Sequence, residues 1–221
     1  MGFLLAIEGA DGAGKATAAA EVARLLREAG RTAEVIAFPR YTETVGGHVL
    51  GDFLAGRLPH GLSPRAVATL YALDRFESRE LVLAAAARND VVVFDRYIAS
   101  NMAYQAAKVA ADEADDVMRW IVSLETGQFA MPVPDLSIYL DTPLDVARAQ
   151  IARKQQRSYT DQTYDAHEAD DGLQARVRSA YAALVGSDLL GAWRRVVTGR
   201  DGAMRAPGEI AAEIVGALPV G

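Results

Sequence analysis

Five short apolar runs, separated by longer helical segments, constrain the fold of this chain more than any other feature. The runs lie at residues 3–8, 33–38, 90–95, 136–141 and 194–199. They are nearly continuous rather than alternating, which is typical of parallel strands that are covered on both faces. Alanine-rich segments at residues 17–29, 64–87 and 174–184 predict helices between these strands. The alternation predicts a three-layer α/β/α fold around a five-stranded parallel sheet, with right-handed crossovers.

Composition excludes several classes of protein. A chain of 221 residues is within the range of one domain, so we expect a single domain over residues 1–221. The absence of cysteine excludes disulfides and zinc–thiolate sites and fits a reducing compartment. A net charge of −6 argues against a broad nucleic-acid-binding surface. The first apolar run is too short to span a membrane and has no basic leader, so we expect a cytoplasmic protein without membrane or nucleic-acid partners.

A glycine-rich turn, EGADGAGK, follows the first predicted strand. It matches the phosphate-binding pattern G-x-x-x-x-G-K-[ST], except that Ala16 replaces the hydroxyl residue that ligates magnesium. Because a strand precedes it and a helix follows, its N–H groups and the helix N-terminus favour phosphate binding over an ordinary turn with a solvated lysine. Lys15 would reach the outer phosphates of a nucleoside triphosphate. The predicted nucleotide-binding residues are Gly9, Ala10, Asp11, Gly12, Ala13, Gly14, Lys15, Ala16 and Thr17.

Polar clusters follow the second and third predicted strands, where a parallel sheet binds its ligands. The segment FPRY places Arg40 where its guanidinium could bind a phosphate monoester, although a lone arginine at a strand end is usually only surface. The segment DRYIASNMAY contributes Asp95, which could orient an arginine or a magnesium-bound water. Arg96 could stabilise charge on a transferring phosphoryl group. A helix-capping network is the alternative, but it accounts for Ser100 and not for the whole cluster.

Two further segments suggest ligand contacts more weakly. Tyr71 and Arg75 lie four residues apart on one predicted helix and could bind a planar base, although an ordinary surface pair fits this spacing equally well. The polar stretch at residues 154–171, read as a mobile loop, predicts a lid at about residues 152–168 that closes over phosphates. A solvated charged loop is the alternative there.

Taken together, EGADGAGK, FPRY, LYALDR, DRYIASN, PDLSIYLD and DAHE resemble the thymidylate kinase family of P-loop nucleoside monophosphate kinases. The resemblance covers residues 3 to about 184 and is strongest with the actinobacterial branch. It implies transfer of the γ-phosphoryl group of ATP to dTMP with Mg²⁺ as the metal, usually by a homodimer.

The resemblance also implies roles for the matching residues. Phe38 and Tyr71 would flank thymine, and Arg75 and Asn101 would hydrogen-bond its edge. Tyr104 would lie under the sugar and disfavour a 2′-hydroxyl. Arg40 and Arg96 would hold the dTMP phosphate. The full set assigned to dTMP is Phe38, Arg40, Tyr41, Tyr71, Arg75, Asp95, Arg96, Asn101, Tyr104 and Asp165.

The catalytic and metal residues follow from the same resemblance. No arginine lies between Gly9 and Gly14, so the chain resembles the type of family member whose lid supplies the catalytic cation. Arg153 is the first candidate, and Lys154 and Arg157 follow. The predicted catalytic residues are Lys15, Arg96, Arg153 and Asp11. The predicted magnesium ligands are Asp11, which Tyr41 would orient, and Glu168, since Thr17 points a quarter-turn away and would contact a phosphate instead.

Three alternatives remain open from the residues. A related kinase could act on another monophosphate or on a deoxynucleoside. A nucleotide-binding regulator could have lost transfer activity at Ala16. A signalling or mechanical NTPase would want a second magnesium aspartate at a strand end, which Asp95 could imitate.

Overall fold

The structure is a computed structural model that describes residues 1–58, 61–157 and 171–219. Its centre is a parallel sheet with the strand order β2-β3-β1-β4-β5. The strands are β1 Phe3–Glu8, β2 Ala33–Ala37, β3 Val91–Asp95, β4 Leu136–Asp141 and β5 Ala192–Val197. The predicted five-stranded parallel sheet is therefore confirmed. A short antiparallel hairpin, β6 Gly199–Arg200 with β7 Ala203–Met204, was not predicted.

Helices cover both faces of this sheet. They are α1 Lys15–Glu28, α2 Val45–Leu54, α3 Pro64–Glu77, α4 Arg79–Arg88, α5 Ile98–Ala106, α6 Ala114–Val122, α7 Leu144–Arg157, α8 Asp171–Val185 and α9 Pro207–Val215. A π-helix, Ser123–Gln128, continues α6 without a break. Within the described ranges, no helix is long and apolar enough to cross a membrane.

The structure corrects two helix predictions. The helix predicted over residues 64–87 is two helices, which separate at Ser78. The Ser78 hydroxyl donates to the carbonyl of Asp74, a side-chain contact that competes with regular helix geometry. The polar stretch predicted as a loop from residue 154 is helical to Arg157, because α7 extends that far. The remainder of the predicted lid, including Asp165 and Glu168, lies outside the described residues.

Two apolar clusters form the core, one on each face of the sheet. Side chains alternate along β1, so that Leu4 and Ala6 belong to the cluster under α3, α5, α6 and α8. Leu5 and Ile7 belong to the other cluster, under α1 and α9. Burial on both faces explains why the strands are apolar throughout rather than every second residue.

The carboxyl ends of the central strands meet at one edge of the sheet. Ile7 of β1 is paired with Asp95 of β3, and Glu8 is paired with Tyr139 of β4. The segments that follow β1 and β3 therefore begin side by side. These are the glycine-rich turn and the segment that starts with Arg96.

Candidate active site

The glycine-rich turn wraps around the Lys15 side chain. Gly12 and Gly14 adopt the left-handed conformation, with φ of 76° and 82°, which side chains other than glycine rarely adopt. Lys15 begins α1, and its Nζ donates to the carbonyls of Gly9 at 3.0 Å and Ala10 at 2.7 Å. The turn therefore holds a buried ammonium group at the N-terminus of a helix, the geometry that favours a bound phosphate.

A pocket of about 630 Å³, called the large pocket below, opens over this turn. Its walls come from the turn, from the end of β3, from α7, and from the segment that follows the β6–β7 hairpin. The lining residues that matter here are Asp11, Lys15, Asp95, Arg96, Gln150, Arg153, Met204 and Arg205. Its volume is within the range of a small-molecule ligand site.

Burial and nearby charge shift the protonation of Lys15. Burial, followed by the positive charge of Arg96, lowers the pKa of Lys15 to about 8, and the carboxylates of Asp11, Asp95 and Glu8 oppose this shift. An incoming polyphosphate would add negative charge beside Nζ and raise this pKa again. A bound polyphosphate would therefore supply negative charge that stabilises the protonated form of Lys15.

Asp11 is held from two sides. Arg96 makes an ion pair with its Oδ1. Gln174 of α8 donates from Nε2 to Oδ2 of Asp11 at 2.9 Å and accepts the Asp11 backbone N–H at 3.1 Å. Burial would raise the pKa of Asp11, but the charges of Arg96 and Lys15 outweigh burial and hold this pKa well below its usual range. Asp11 is therefore a carboxylate fixed in one orientation.

Arg96 has a left-handed backbone, with φ of 66°, a conformation that is costly for a residue with a side chain. Its N–H donates to the carbonyl of Ile7 at 3.1 Å. Its guanidinium carbon lies 5.3 Å from the ring centre of Tyr104. Tertiary contacts thus point the guanidinium between the turn and α5.

A buried carboxylate supports this arrangement from below. Glu8 accepts the N–H of Tyr97 at 2.8 Å and the hydroxyls of Ser100 at 2.6 Å and Tyr181 at 3.0 Å. Burial raises the pKa of Glu8. Sequence reasoning missed Glu8, which ends β1, and also Gln174 and Tyr181, which the packing of α8 on the sheet brings to the site. An acidic residue that ends an apolar strand was the one available signal.

A second pocket of about 60 Å³, called the small pocket below, adjoins the large one. Asp11 and Arg96 line both pockets. The other residues of the small pocket are Pro39, Tyr41, Leu54, Tyr71, Ser100, Asn101 and Tyr104. Four residues predicted to bind one substrate, Tyr41, Tyr71, Asn101 and Tyr104, are therefore brought together beside the predicted phosphate loop.

Other predicted residues lie near the small pocket without lining it. Phe38 is buried in the core, with its ring centre 5.9 Å from that of Tyr97. Arg75 is buried in an ion pair with Glu125, a residue that sequence reasoning missed. Their assignment to a base stays a prediction.

Arg40 is anchored at the end of the α3 helix. Its Nη1 donates to the Ser78 hydroxyl at 3.1 Å, and its backbone N–H donates to the buried carboxylate of Asp74 at 3.2 Å. The break between α3 and α4 at Ser78 therefore creates an anchor for Arg40. Sequence reasoning missed both Asp74 and Ser78.

Of the predicted lid cations, Arg153 is the one whose side chain the structure describes. It is exposed on α7 and lines the large pocket. The described residues contain no cluster of three or more histidine or acidic side chains that would hold a metal unaided. Asp11 and Asp95 both line the large pocket, so two carboxylates are present beside the expected phosphate position.

Comparisons with known proteins agree on one family. The family model described as thymidylate kinase matches residues 7–188. The thymidylate kinase of Mycobacterium tuberculosis strain H37Rv is 35% identical over 215 residues, which cover 96% of this chain and 97% of that protein. The thymidylate kinase of Leifsonia xyli is 36% identical over 188 residues, with 83% and 81% covered. A solved thymidylate kinase structure from Candida albicans has a TM-score of 0.71 at 22% identity, covers 96% of this chain and 89% of that one, and supports the fold.

Proposed function

The chain belongs to the thymidylate kinase family, and we propose that it transfers the γ-phosphoryl group of ATP to dTMP, giving ADP and dTDP, with the residues assigned below. It is an enzyme, a dTMP kinase. The observation that carries the assignment of the site is that two adjacent pockets share Asp11 and Arg96. A phosphotransferase needs this arrangement, because a donor and an acceptor must meet with their reacting atoms close together.

ATP occupies the large pocket in this proposal. The N–H groups of the turn and the start of α1 bind its phosphates, and Lys15 leaves the carbonyls of Gly9 and Ala10 to contact the outer ones. Arg153 lines the same pocket and supplies a further cation when the phosphates are bound. The lowered pKa of Lys15 supports this role, because phosphate oxygens would restore the full charge of the ammonium group.

dTMP occupies the small pocket. Arg96 reaches its phosphate from the shared wall, and Arg40 reaches it from the anchor at Ser78. Tyr104 contacts the sugar, and Tyr71 and Asn101 contact the base. The present volume of about 60 Å³ is smaller than a nucleotide, so binding requires the walls of the small pocket to move apart.

The reaction itself needs no general base, because the nucleophile is a phosphate oxygen of dTMP that is already deprotonated at neutral pH. The protein aligns this oxygen with the γ-phosphorus and neutralises charge on the transferring group. Arg96 and Lys15 both contact that group in this proposal, and Asp11 fixes the Arg96 guanidinium through its ion pair. The same ion pair brings dTMP into register with ATP.

Mg²⁺ fits the carboxylates of this site even though Ala16 offers no hydroxyl. The metal usually keeps several waters and takes one or two carboxylates besides phosphate oxygens, and Asp11 and Asp95 are both available in the large pocket. Asp11 is its chief protein ligand in this proposal, with Glu168 of the predicted lid as a second. When bound, the metal would neutralise charge on the phosphates of ATP. The low pKa of Asp11 supports the assignment, because the group is ionised at every relevant pH.

Three further properties are proposed on the family resemblance. The chain works as one kinase domain, forms a homodimer and acts in the cytoplasm. The continuous parallel sheet and its two cores support the first of these.

The deciding experiment measures ADP formation from ATP and Mg²⁺ with dTMP, dUMP, dCMP, UMP, thymidine or no acceptor. We expect rapid turnover with dTMP, slower turnover with dUMP and negligible turnover with UMP. Turnover with thymidine that survives Arg40→Ala would indicate a deoxynucleoside kinase, because that acceptor carries no phosphate for Arg40. ATP consumption without an acceptor would indicate an NTPase. Tight ATP binding without any turnover would indicate a regulator.

A further inference from the structure

Glu125 is a fully buried carboxylate at the start of the π-helix. It continues the buried stripe of α6, which consists of Val117, Met118 and Ile121, four residues after the last of these. A charged residue on an apolar stripe is costly unless it is paired. Its carboxylate accepts from Nε of Arg75 at 2.5 Å and from Nη2 of Arg75 at 2.6 Å. The π-helix therefore places a carboxylate that is paired with Arg75 in the interior, and such irregular turns often occur at functional sites.

Glu125 has a second partner, the side-chain amide of Asn101. Nδ2 of Asn101 donates to Oε1 of Glu125 at 2.9 Å and to the carbonyl of Ala68 at 3.0 Å. Both partners are acceptors, and so the amide nitrogen must face them and the amide oxygen must face the other way. Glu125 and Ala68 together fix the orientation of this amide.

The oxygen of that amide has no partner. Oδ1 of Asn101 is buried and accepts no hydrogen bond from the described residues. Asn101 lines the small pocket, where the proposed function places a nucleotide base. A buried acceptor without a donor is costly, and a ligand N–H would remove that cost. Asn101 therefore brings to the wall of the small pocket a buried acceptor of fixed polarity, which a donor on the ligand would satisfy when the walls move apart.

We propose that Glu125 is a positioning residue for base selection: by holding the Asn101 amide, it makes the site accept pyrimidines with an N–H at position 3 and reject 4-amino pyrimidines. This inference rests on the proposed function. Thymine and uracil present a donor at N3, whereas cytosine presents an acceptor there, which would face the Oδ1 lone pairs. A site built around a specific hydrogen bond can reject the analogue without it by about 10⁴-fold. Arg75 keeps the carboxylate paired, and so Glu125 can only accept.

The test compares dTMP with 5-methyl-dCMP as acceptors for wild type and Glu125→Gln. The two acceptors share the 5-methyl group and differ at the hydrogen-bonding edge, so stacking and size are matched. We expect Glu125→Gln to lower the ratio of kcat/KM for dTMP over 5-methyl-dCMP by at least about tenfold, mainly through a higher KM for dTMP. The side-chain amide that this substitution introduces can donate to the Asn101 amide and so permits it to turn. The ratio does not depend on the active fraction, because both acceptors are measured on one preparation.

Two further variants separate positioning from stability. Glu125→Asp keeps the negative charge beside Arg75, so it folds, but its shorter side chain cannot reach both partners; we expect a smaller fall in the ratio. Asp141→Asn is the matched control. Asp141, like Glu125, is a buried carboxylate in an ion pair, and its partners are Arg178 and Arg195. We expect this control to lower the melting temperature and leave the ratio unchanged.

The outcomes are distinct. If wild type prefers dTMP and both Glu125 variants keep the wild-type ratio while losing thermal stability, Glu125 is only structural and the inference is wrong. An equal fall in the ratio for Asp141→Asn would also overturn it, since general destabilisation would then explain the effect. If wild type does not phosphorylate dTMP at all, the proposed function is wrong. That result differs from an unchanged ratio in the Glu125 variants, which would contradict the inference alone.

Discussion

At the scale of single residues, the site is a small set of charged side chains that interact with one another. Lys15, Asp11 and Arg96 all line the large pocket. Arg96 and Lys15 lower the pKa of Asp11, and Asp11 in turn raises the pKa of both Lys15 and Arg96. Burial disfavours each charge alone, but together they remain ionised because opposite charges are adjacent. The net result is a rigid cationic wall that is ready for phosphates.

The pKa of Lys15 gives the first prediction. Because burial lowers this pKa to about 8 in the free enzyme, part of the Lys15 population is neutral at pH 8.5. Bound ATP raises the pKa, and so ATP binding takes up a proton: about 0.8 per site at pH 8.5 and about 0.1 at pH 7. Calorimetry in two buffers of different ionisation enthalpy measures this uptake. Equal values at the two pH values would contradict the prediction.

Asp11 carries the second prediction. Asp11→Asn removes the charge that pairs with Arg96 and the proposed chief ligand of Mg²⁺. We expect kcat to fall by about 10²-fold and the magnesium concentration for half-maximal rate to rise. Steady-state kinetics over a magnesium titration measures both. Asp115→Asn is the control, because it removes an equally ordinary aspartate–arginine pair on the exposed surface of α6. An unchanged rate and magnesium dependence in Asp11→Asn would remove Asp11 from the metal site.

At the scale of elements, positions where regular structure stops shape the site. The α1 helix begins at Lys15 because Gly14 has a left-handed backbone, and α3 separates from α4 at Ser78, where Arg40 is anchored. The α6 helix widens into a π-helix and delivers Glu125. Each irregularity is thus associated with a residue that contacts a pocket or holds one that does.

The phosphate loop gives a prediction at this scale. A Cβ on Gly12 would lie 2.4 Å from the carbonyl oxygen of Ala147 in α7, whereas a Cβ on Gly30 would meet nothing within 4 Å. Both glycines have positive φ, so each alanine substitution costs about 1–2 kcal/mol of backbone strain. Only Gly12→Ala must also displace the loop. We expect its KM for ATP to rise at least about tenfold while Gly30→Ala keeps the wild-type KM. Similar KM values for the two variants would show that the loop tolerates the contact.

At the scale of the whole molecule, the parallel sheet gathers residues from distant parts of the chain at one edge. Asp11 and Gln174 are joined by a hydrogen bond although they are 163 positions apart in the sequence. The large and small pockets share Asp11 and Arg96 because the segments after β1 and β3 start side by side. This placement is a property of the strand order and of no single segment.

The proposed homodimer gives a prediction at the same scale. Phe76 of α3 is an apolar side chain that is 45% exposed, and Val45 of the adjacent α2 is 65% exposed, so this surface is suited to association. We expect light scattering to give about twice the chain mass of 23.6 kDa, and Phe76→Glu to give a monomer. Val197→Glu, at a residue with the same exposure on β5, serves as the control. A wild-type monomer at all concentrations would reject the dimer. A dimer that survives Phe76→Glu would move the interface elsewhere.

The sequence by itself determined the architecture and the position of the glycine-rich turn. Short apolar runs without alternation are typical of strands buried on both faces, and a glycine-rich turn between a strand and a helix is typical of a phosphate-binding loop. Patterns of this kind involve only a few neighbouring residues, so they can be recognised in the amino-acid sequence alone. The family resemblance assigned Tyr71, Asn101 and Tyr104 to one ligand, and all three line the small pocket, although their roles stay a proposal.

Only the tertiary structure decided which side chains hold the site in place. Glu125 and Gln174 hydrogen-bond to the predicted residues Asn101 and Asp11, and Glu8 hydrogen-bonds to Ser100 of the small pocket, yet none is near its partner in the sequence. Arg75 was predicted to contact a planar base, with an ordinary surface pair as the alternative, and the structure buries it in an ion pair with Glu125. The physical reason is that a hydrogen bond between distant segments depends on how helices dock on the sheet, and a buried charge reveals its partner only after that docking is known.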